Sequence, residues 1–400
     1  MEPIRLAILG ATGMAGRDAL RHQQWLSEKE RQYAEITYVT AGPTSVGRPL
    51  RARYEELEAA LAKAYPDIWE AQSFPSSLDH LTIQEMDPDQ IAMHADYAIS
   101  ALDSEVARTI EPELARRGVH VFSNSSAYRW DPQVPLLVPE VNYNHLPPVK
   151  KQETSGKRIC NPNCTTAGFI PIVWAFRQVG CTIASINLTT FQSLSGKGDA
   201  IADPEYVARA SSPVWVDWKP RDDRPGMNEE EWKSSYEPQK ILGRIGTMEE
   251  LDAGIRAQEL GQSSSLLPIS SRTHRIRQSY GHLERVDIQF KSATFVDEAI
   301  RVLRECKIPE EVAFLPTTPT WLFYVTKGKP SYEKNLLAGG GMSITVGDIQ
   351  QVGEHTLRMW SLSHNLRRRA TWAGRQGLEL FLSQHVDDWN EFFHRLRQNR

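Results

Sequence analysis

The chain has 400 residues, 40% hydrophobic and 24% charged, with 46 Lys and Arg against 50 Asp and Glu for a formal net charge of −4 at pH 7. Balanced charge implies no nucleic-acid partner, and the absence of a long apolar run or an apolar signal core after Met1 implies no membrane span. Four cysteines, at 160, 164, 181 and 306, are too few for a disulfide scaffold and lack zinc-site companions, so no metal is expected and a cytoplasmic location fits best.

Ile4 to Leu9 reads as a buried strand, Gly10-Ala11-Thr12-Gly13-Met14-Ala15-Gly16 as a glycine loop, and Arg17 onward as a helix. Strand, glycine loop and helix together form a phosphate cradle, because backbone N–H groups at the helix mouth can reach a pyrophosphate. Gly10, Thr12, Gly13 and Met14 are the candidate contacts. A second strand, Ile36 to Thr40, ends without an acid and runs into Thr44, Ser45 and Arg48. An acid there would bind the ribose 2′-hydroxyl of NAD, whereas hydroxyls and a base suit the 2′-phosphate of NADP; a plain solvated loop is the alternative. Ala95 to Ser100 and Val119 to Phe122 read as further strands, with an amphipathic helix, Ser104 to Arg117, between them. This βαβ rhythm predicts a Rossmann-type α/β domain over 1–157, bounded by the polar stretch Lys150 to Lys157.

Cys164 lies in Cys160-Asn161-Pro162-Asn163-Cys164-Thr165-Thr166, just before an apolar helix, Ala167 to Phe176. A thiol at a helix mouth faces unpaired N–H groups that favour the thiolate, although the default for any one cysteine is a core thiol. Longer, antiparallel-looking strands follow: Ser185 to Gln192, Leu283 to Gln289, Trp321 to Thr326 and Met342 to Val346. They predict an α+β catalytic and dimerisation domain over 158–362. Ser211 to Ser235, with Trp215, Trp218 and Trp232, shows neither period and reads as a loop or a subunit contact. From Leu366 the chain reads as helical, with Trp372, Leu378, Leu380 and Phe381 giving residues 363–400 an apolar face to pack back on the first domain.

Taken in order, these segments resemble the aspartate-semialdehyde dehydrogenase family. Gly10 to Gly16 is similar to its GATGxxG loop, Ser123 to Arg129 to its SNxSxxR segment, and Val138-Pro139-Glu140-Val141-Asn142 to its PE(V/I)N turn. Asn161 to Thr165 resembles the nucleophile motif, and Gln192-Ser193-Leu194-Ser195-Gly196 the Q-x-x-SG strand end. Glu230 to Lys233, Arg275 to His282 and Ser363-His364-Asn365 resemble the acidic-basic, R-x-x-x-x-x-GH and SHN motifs. The resemblance implies an NADP-dependent enzyme of amino-acid biosynthesis, a homodimer or homotetramer, that interconverts 4-aspartyl phosphate and aspartate 4-semialdehyde through a cysteine thioester. It assigns Cys164 as nucleophile, His282 as general acid–base and Gln192 as orienter of the intermediate. Arg275 would grip the substrate carboxylate, Glu230 the ammonium, and Arg129 and Lys233 the phosphate, with Asn163 also at the substrate. Ser195, Gly196 and Asn365 would border the nicotinamide.

Some residues depart from the family pattern. Lys197 and Asp199 follow Ser195-Gly196 in place of small residues, and Arg367-Arg368-Arg369-Ala370-Thr371-Trp372 replaces a small-residue stretch. Arg369 and Trp372 are expected to crowd or re-shape the nicotinamide end. Glu237 and Lys240 repeat the spacing of Glu230 and Lys233 and compete for their role. Two other readings stand beside the aspartyl enzyme: an acyl-phosphate or acyl-CoA reductase with another acyl group, such as a malonyl-CoA reductase, and a non-catalytic NADP-binding regulator.

Overall fold

The computed structural model describes residues 2–398 except 211, 213 and 216–219. Five short apolar strands form a parallel sheet: β1 (Ile4–Leu9), β2 (Ala34–Val39), β3 (Tyr97–Ser100), β4 (His120–Ser123) and β5 (Arg158–Cys160), in the order β2-β1-β3-β4-β5. Helices cover both faces, which is why β3 is buried throughout and β1 buries every residue but Arg5. The first helix, Met14–Glu28, starts directly at Gly13 rather than at Arg17. Arg158–Cys160, assigned on sequence to the second domain, pairs with β4 in the first sheet (Val121 with Arg158, Ser123 with Cys160). Three residues are too few to display a period.

The second domain has β6 (Ile183–Gln192), β7 (Val214–Trp215), a separate hairpin of β8 (Pro220–Arg221) and β9 (Arg224–Asn228), then β10 (Ile269–Ile276), β11 (His282–Phe290), β12 (Phe323–Val325), β13 (Ile344–Gly353) and β14 (Thr356–Ser363). Seven of them make one sheet, β12-β13-β14-β11-β6-β10-β7. It is mixed rather than antiparallel, since β10 runs parallel to β6 and β12 to β13. Helix Thr166–Gln178, apolar nearly all round, lies on it, with Phe169, Ile170 and Val173 in one core with Ile186, Leu188, Val286, Ile288 and Met359.

The tryptophan-rich stretch corrects the sequence reading. Trp215 lies in β7, and Trp218 lies outside the described residues. Trp232 is a core residue on helix Glu229–Ile241, packed with Ile245, Leu251, Ile255 and Leu266. The helix start was legible: Asn228 and Glu231 form a capping box.

At the carboxyl end the helix begins at Thr371 rather than Leu366, and a second helix, Trp389–Gln398, follows. Leu378, Leu380, Phe381 and Phe393 join Leu6, Ile8 and Phe122 in the core of the first domain. Trp372, expected to shape the cofactor site, is instead enclosed in the protein interior. Its ring stacks on His22 at 4.1 Å and its Nε1 donates to the Asp18 carbonyl at 3.2 Å. Trp372→Ala is expected to cost about 3–5 kcal/mol by cavity formation. A urea midpoint unchanged from that of the parent protein would contradict this packing.

Candidate active site

Strand register assembles the site. Gln192, the last residue of β6, stands opposite Arg275 of β10 on one side and His282 of β11 on the other, and His282 in turn faces Ser363 of β14. Side chains alternate along a strand, so these four share the face that carries Leu188, Val286 and Met359, the face on which helix Thr166–Gln178 lies. The same packing brings the mouth of that helix to the row: Cys164 Sγ is 3.1 Å from His282 Nε2. Gln192 Nε2 donates to Thr165 Oγ1 at 2.9 Å, beside the sulfur.

The electrostatics refine the expectation of a ready thiolate. Burial, together with the Glu230 carboxylate, pushes the Cys164 thiol up to about 11 against the pull of Arg369, Arg275 and Arg129. Burial, with Arg369 and Arg275 adding to it, holds His282 well below the usual imidazole range. At neutral pH the pair therefore rests as thiol and neutral imidazole. His282 Nδ1 is 3.2 Å from the Ser193 amide nitrogen and 3.4 Å from Ser193 Oγ. With the hydroxyl accepting from Nδ1–H, Nε2 is free to take the thiol proton. With the amide donating to Nδ1, Nε2–H faces the sulfur instead.

Beside this row lies a cavity of about 630 Å³ whose walls include Gln192, Arg275, Glu230, His274 and Arg221. Arg275 is anchored by a 2.9 Å bond from Nη1 to the Ser193 carbonyl. Glu230 accepts from Asn163 Nδ2 at 2.8 Å and lies 3.4 Å from Lys233 Nζ. Burial would raise its carboxyl, but Lys233, the Asn163 bond, Arg275 and Arg129 outweigh it and leave it at about 2. Glu237 and Lys240 serve another purpose. Glu237 joins Arg129 at 2.7 Å and the Asn163 amide at 2.6 Å. Lys240 donates to the carbonyls of Arg129, Asp131 and Val134 at 2.8, 2.7 and 2.9 Å. They hold the walls; of the two glutamates at this spacing, Glu230 is the one that lines the cavity.

A second cleft, about 910 Å³, runs from Gly10, Thr12, Gly13 and Met14 past Ala41–Pro43 to Asn124, Arg129, Asn163, Cys164, Ser195, Gly196 and Asn365. Its chemistry fits a dinucleotide. The helix at Gly13 has no side-chain cap, so its first N–H groups are left for a pyrophosphate. Gly10 has φ +77°, and a methyl on Gly16 would overlap the Gly10 carbonyl. At the far end Asn365 Oδ1 accepts from the Gly281 amide at 2.8 Å, and its Nδ2 donates to Ser195 Oγ at 2.9 Å. A Cβ on Gly196 would stand 3.0 Å from both Arg275 and His282, tighter than an ordinary contact, so a side chain there would press on both. Lys197 borders both cavities. Thr44 is exposed, Ser45 buried, and Arg48 is paired with Glu56 at 2.6 Å; none of the three lines the cleft.

Comparison with known proteins agrees with this arrangement. Residues 5–148 match the semialdehyde dehydrogenase NAD-binding domain model. The aspartate-semialdehyde dehydrogenase of Archaeoglobus fulgidus is 30% identical over 387 residues, spanning 95% of this chain and 98% of that one. The chain belongs to the aspartate-semialdehyde dehydrogenase family. The NADP-dependent malonyl-CoA reductase of Metallosphaera sedula is 28% identical, covering 96% of this chain and 98% of its own. A Candida albicans aspartate semialdehyde dehydrogenase structure with NADP has the same fold, with a TM-score of 0.71 at 24% identity over 95% of this chain and 98% of that one. Membership makes this protein a nicotinamide-dependent oxidoreductase.

Against the family pattern, the three consecutive arginines take separate places. Arg367 lies over the Trp372 ring at 4.5 Å, and Arg368 is paired with buried Glu140 at 2.6 Å. Arg369 goes beneath Cys164, where Nη1 donates to the Cys164 carbonyl at 2.9 Å. The sequence reading missed Ser193, Thr165 and Asn161, whose Nδ2 donates to Asn124 Oδ1 at 2.8 Å and the Ala370 carbonyl at 2.7 Å. All three sit within the quoted motifs, Ser193 at an unspecified position of the Q-x-x-SG strand end. A thiol near 11 predicts that alkylation of Cys164 in the ligand-free protein keeps accelerating as pH rises from 7 to 10. The thiolate fraction grows with pH throughout that window. A plateau below pH 8, tracked by mass of the Cys164 peptide, would contradict it.

Proposed function

We propose that this protein catalyses the NADPH-dependent reductive dephosphorylation of 4-aspartyl phosphate to aspartate 4-semialdehyde. The observation that carries the reading is the 3.1 Å contact of Cys164 with His282 beside one cavity walled by both Arg275 and Glu230. The Cys164 thiol attacks the acyl carbon, its proton passes to His282 Nε2, and the carbon–oxygen bond to phosphate breaks, leaving a thioester. Gln192 orients the carbonyl. Arg129 and Lys233 bind the phosphate, and Arg275 and Glu230 take the substrate's carboxylate and ammonium. A bound NADPH would supply hydride to the thioester carbon; as the carbon–sulfur bond breaks to release the aldehyde, His282 returns a proton to the Cys164 sulfur.

NADP fits the acid-free end of β2. The Arg48–Glu56 pair, both partners exposed, holds Arg48 by roughly 0–1 kcal/mol. A charge-assisted bond to a 2′-phosphate offers about 1.5–3 kcal/mol, so Arg48 turns to the phosphate when it binds, with Thr44 and Ser45 completing the contact. Arg48→Ala is expected to weaken NADP binding roughly tenfold or more on the same scale and to spare NAD, by calorimetric titration of both.

A second reading has a specific observation behind it. Glu230 is already compensated by Lys233 and Asn163, so a substrate without an ammonium leaves no lone buried charge, and the similarity to a malonyl-CoA reductase spans 96% of the chain. Phosphate-dependent NADPH formation from aspartate semialdehyde against succinate semialdehyde separates the two readings. Preference for the amino compound, reduced at least about tenfold in Glu230→Gln, is expected, since one charge-assisted bond is lost. Equal turnover of both by the parent protein selects the acyl-reductase reading. Cys164→Ala is expected to abolish turnover of either while retaining NADP.

We also assign a homodimer, or a dimer of dimers, to the outer face of the seven-stranded sheet. Half-exposed Phe191, His274 and Trp360 line up there, with ring centroids 5.4 and 6.0 Å apart. Sedimentation at a multiple of the 45.3 kDa chain mass is expected, and a monomer at micromolar concentration would exclude it.

A further inference from the structure

Arg369 stands at a position where its family's pattern has a small residue, and its surroundings are built around it. Nε donates to Ser363 Oγ at 2.5 Å, and Nη1 donates both to the Cys164 carbonyl at 2.9 Å and to the Glu284 carboxylate. Both members of the Arg369–Glu284 pair are fully enclosed. The seat exists because residue 168, one turn into the nucleophile helix, is glycine: a methyl there would overlap the guanidinium. Three separate segments thus converge on one side chain. They are the end of β14, the start of β11 two residues beyond His282, and the mouth of the nucleophile helix.

We propose that Arg369 is a positioning residue of the reaction centre, keyed into the space over Gly168 and neutralised by Glu284, which fixes the Cys164 backbone so that the sulfur meets His282. The inference rests on Cys164 as the nucleophile but on no particular acyl substrate. A surface ion pair would contribute little here; a buried one holds because neither partner can leave without stranding the other's charge. The guanidinium also places positive charge behind the sulfur, where it opposes burial and Glu230 in setting the thiol's proton affinity. The charged and titratable groups around Cys164 are His282 on β11, Arg275 on β10, Glu230 on helix Glu229–Ile241 and Arg129 in the loop after β4. Those around Arg369 are Glu284, His282, Tyr332 and His364.

The test is the pH profile of Cys164 alkylation by iodoacetamide, read by peptide mass, alongside kcat and KM. In Arg369→Met the profile should move to higher pH, alkylation at pH 8 should fall about tenfold or more, and kcat should fall with KM little changed. Arg369→Lys keeps the charge and loses the three-way bond, so it should restore the pH profile more fully than kcat. Because Arg369→Met strands Glu284, the double variant Arg369→Met/Glu284→Leu removes both charges together, and Gly168→Ala displaces the guanidinium while keeping both. Either one, folded and still binding NADP but alkylated at the parent rate across pH 7–10, overturns the proposal. Loss of the aspartyl substrate reading would leave these profiles unaffected, whereas a fully active Cys164→Ala would remove the nucleophile reading beneath them.

Discussion

The site depends on strand register. Gln192, Arg275, His282 and Ser363 come from four different strands, and they share one face only because each has the parity of the apolar residues behind it. A slip of one residue in β6 would turn Gln192 outward and Phe191 inward, exchanging an orienting amide for an aromatic ring. The apolar alternation that holds the sheet against helix Thr166–Gln178 therefore also holds the reacting groups. Core packing and site geometry are one constraint here.

That arrangement forces many charges into a dry interior. Arg129 with Glu237, Arg368 with Glu140 and Arg369 with Glu284 are each almost fully buried pairs. Such pairs add little net stability, and their value lies in geometry that an apolar substitute would not impose. Arg129 and Glu237 join the segment after β4 to the Asn163 amide. The same low-dielectric surroundings push Cys164 up and His282 down, which favours the uncharged form of each.

The two sheets meet at the turn Asn161-Pro162-Asn163. Since β5 ends at Cys160 in the first sheet and the next helix packs on the second, Cys164 stands where one domain hands over to the other. Dinucleotide cleft and substrate cavity are consequently contiguous through Gly196 and Lys197. The C-terminal helices pack on the first domain, with Trp372 stacked on His22.

Much of this was legible in the sequence. The glycine loop, the first four strands and the apolar helix after Cys164 follow from local periodicity and backbone stereochemistry, and motif order pointed to Cys164, His282, Gln192 and Arg275. Tertiary structure decided what local pattern cannot carry. Arg158–Cys160 is too short to show which sheet it joins, and the parallel pairing of β10 with β6 is a long-range choice. Glu230 and Glu237 share one spacing on one helix, and only the packing of Arg129 and Asn163 against that helix separates a cavity acid from a structural one. The same holds for Arg367, Arg368 and Arg369: three identical side chains in a row acquire different work because the turn points each at a different neighbour, which no property of the residues themselves encodes.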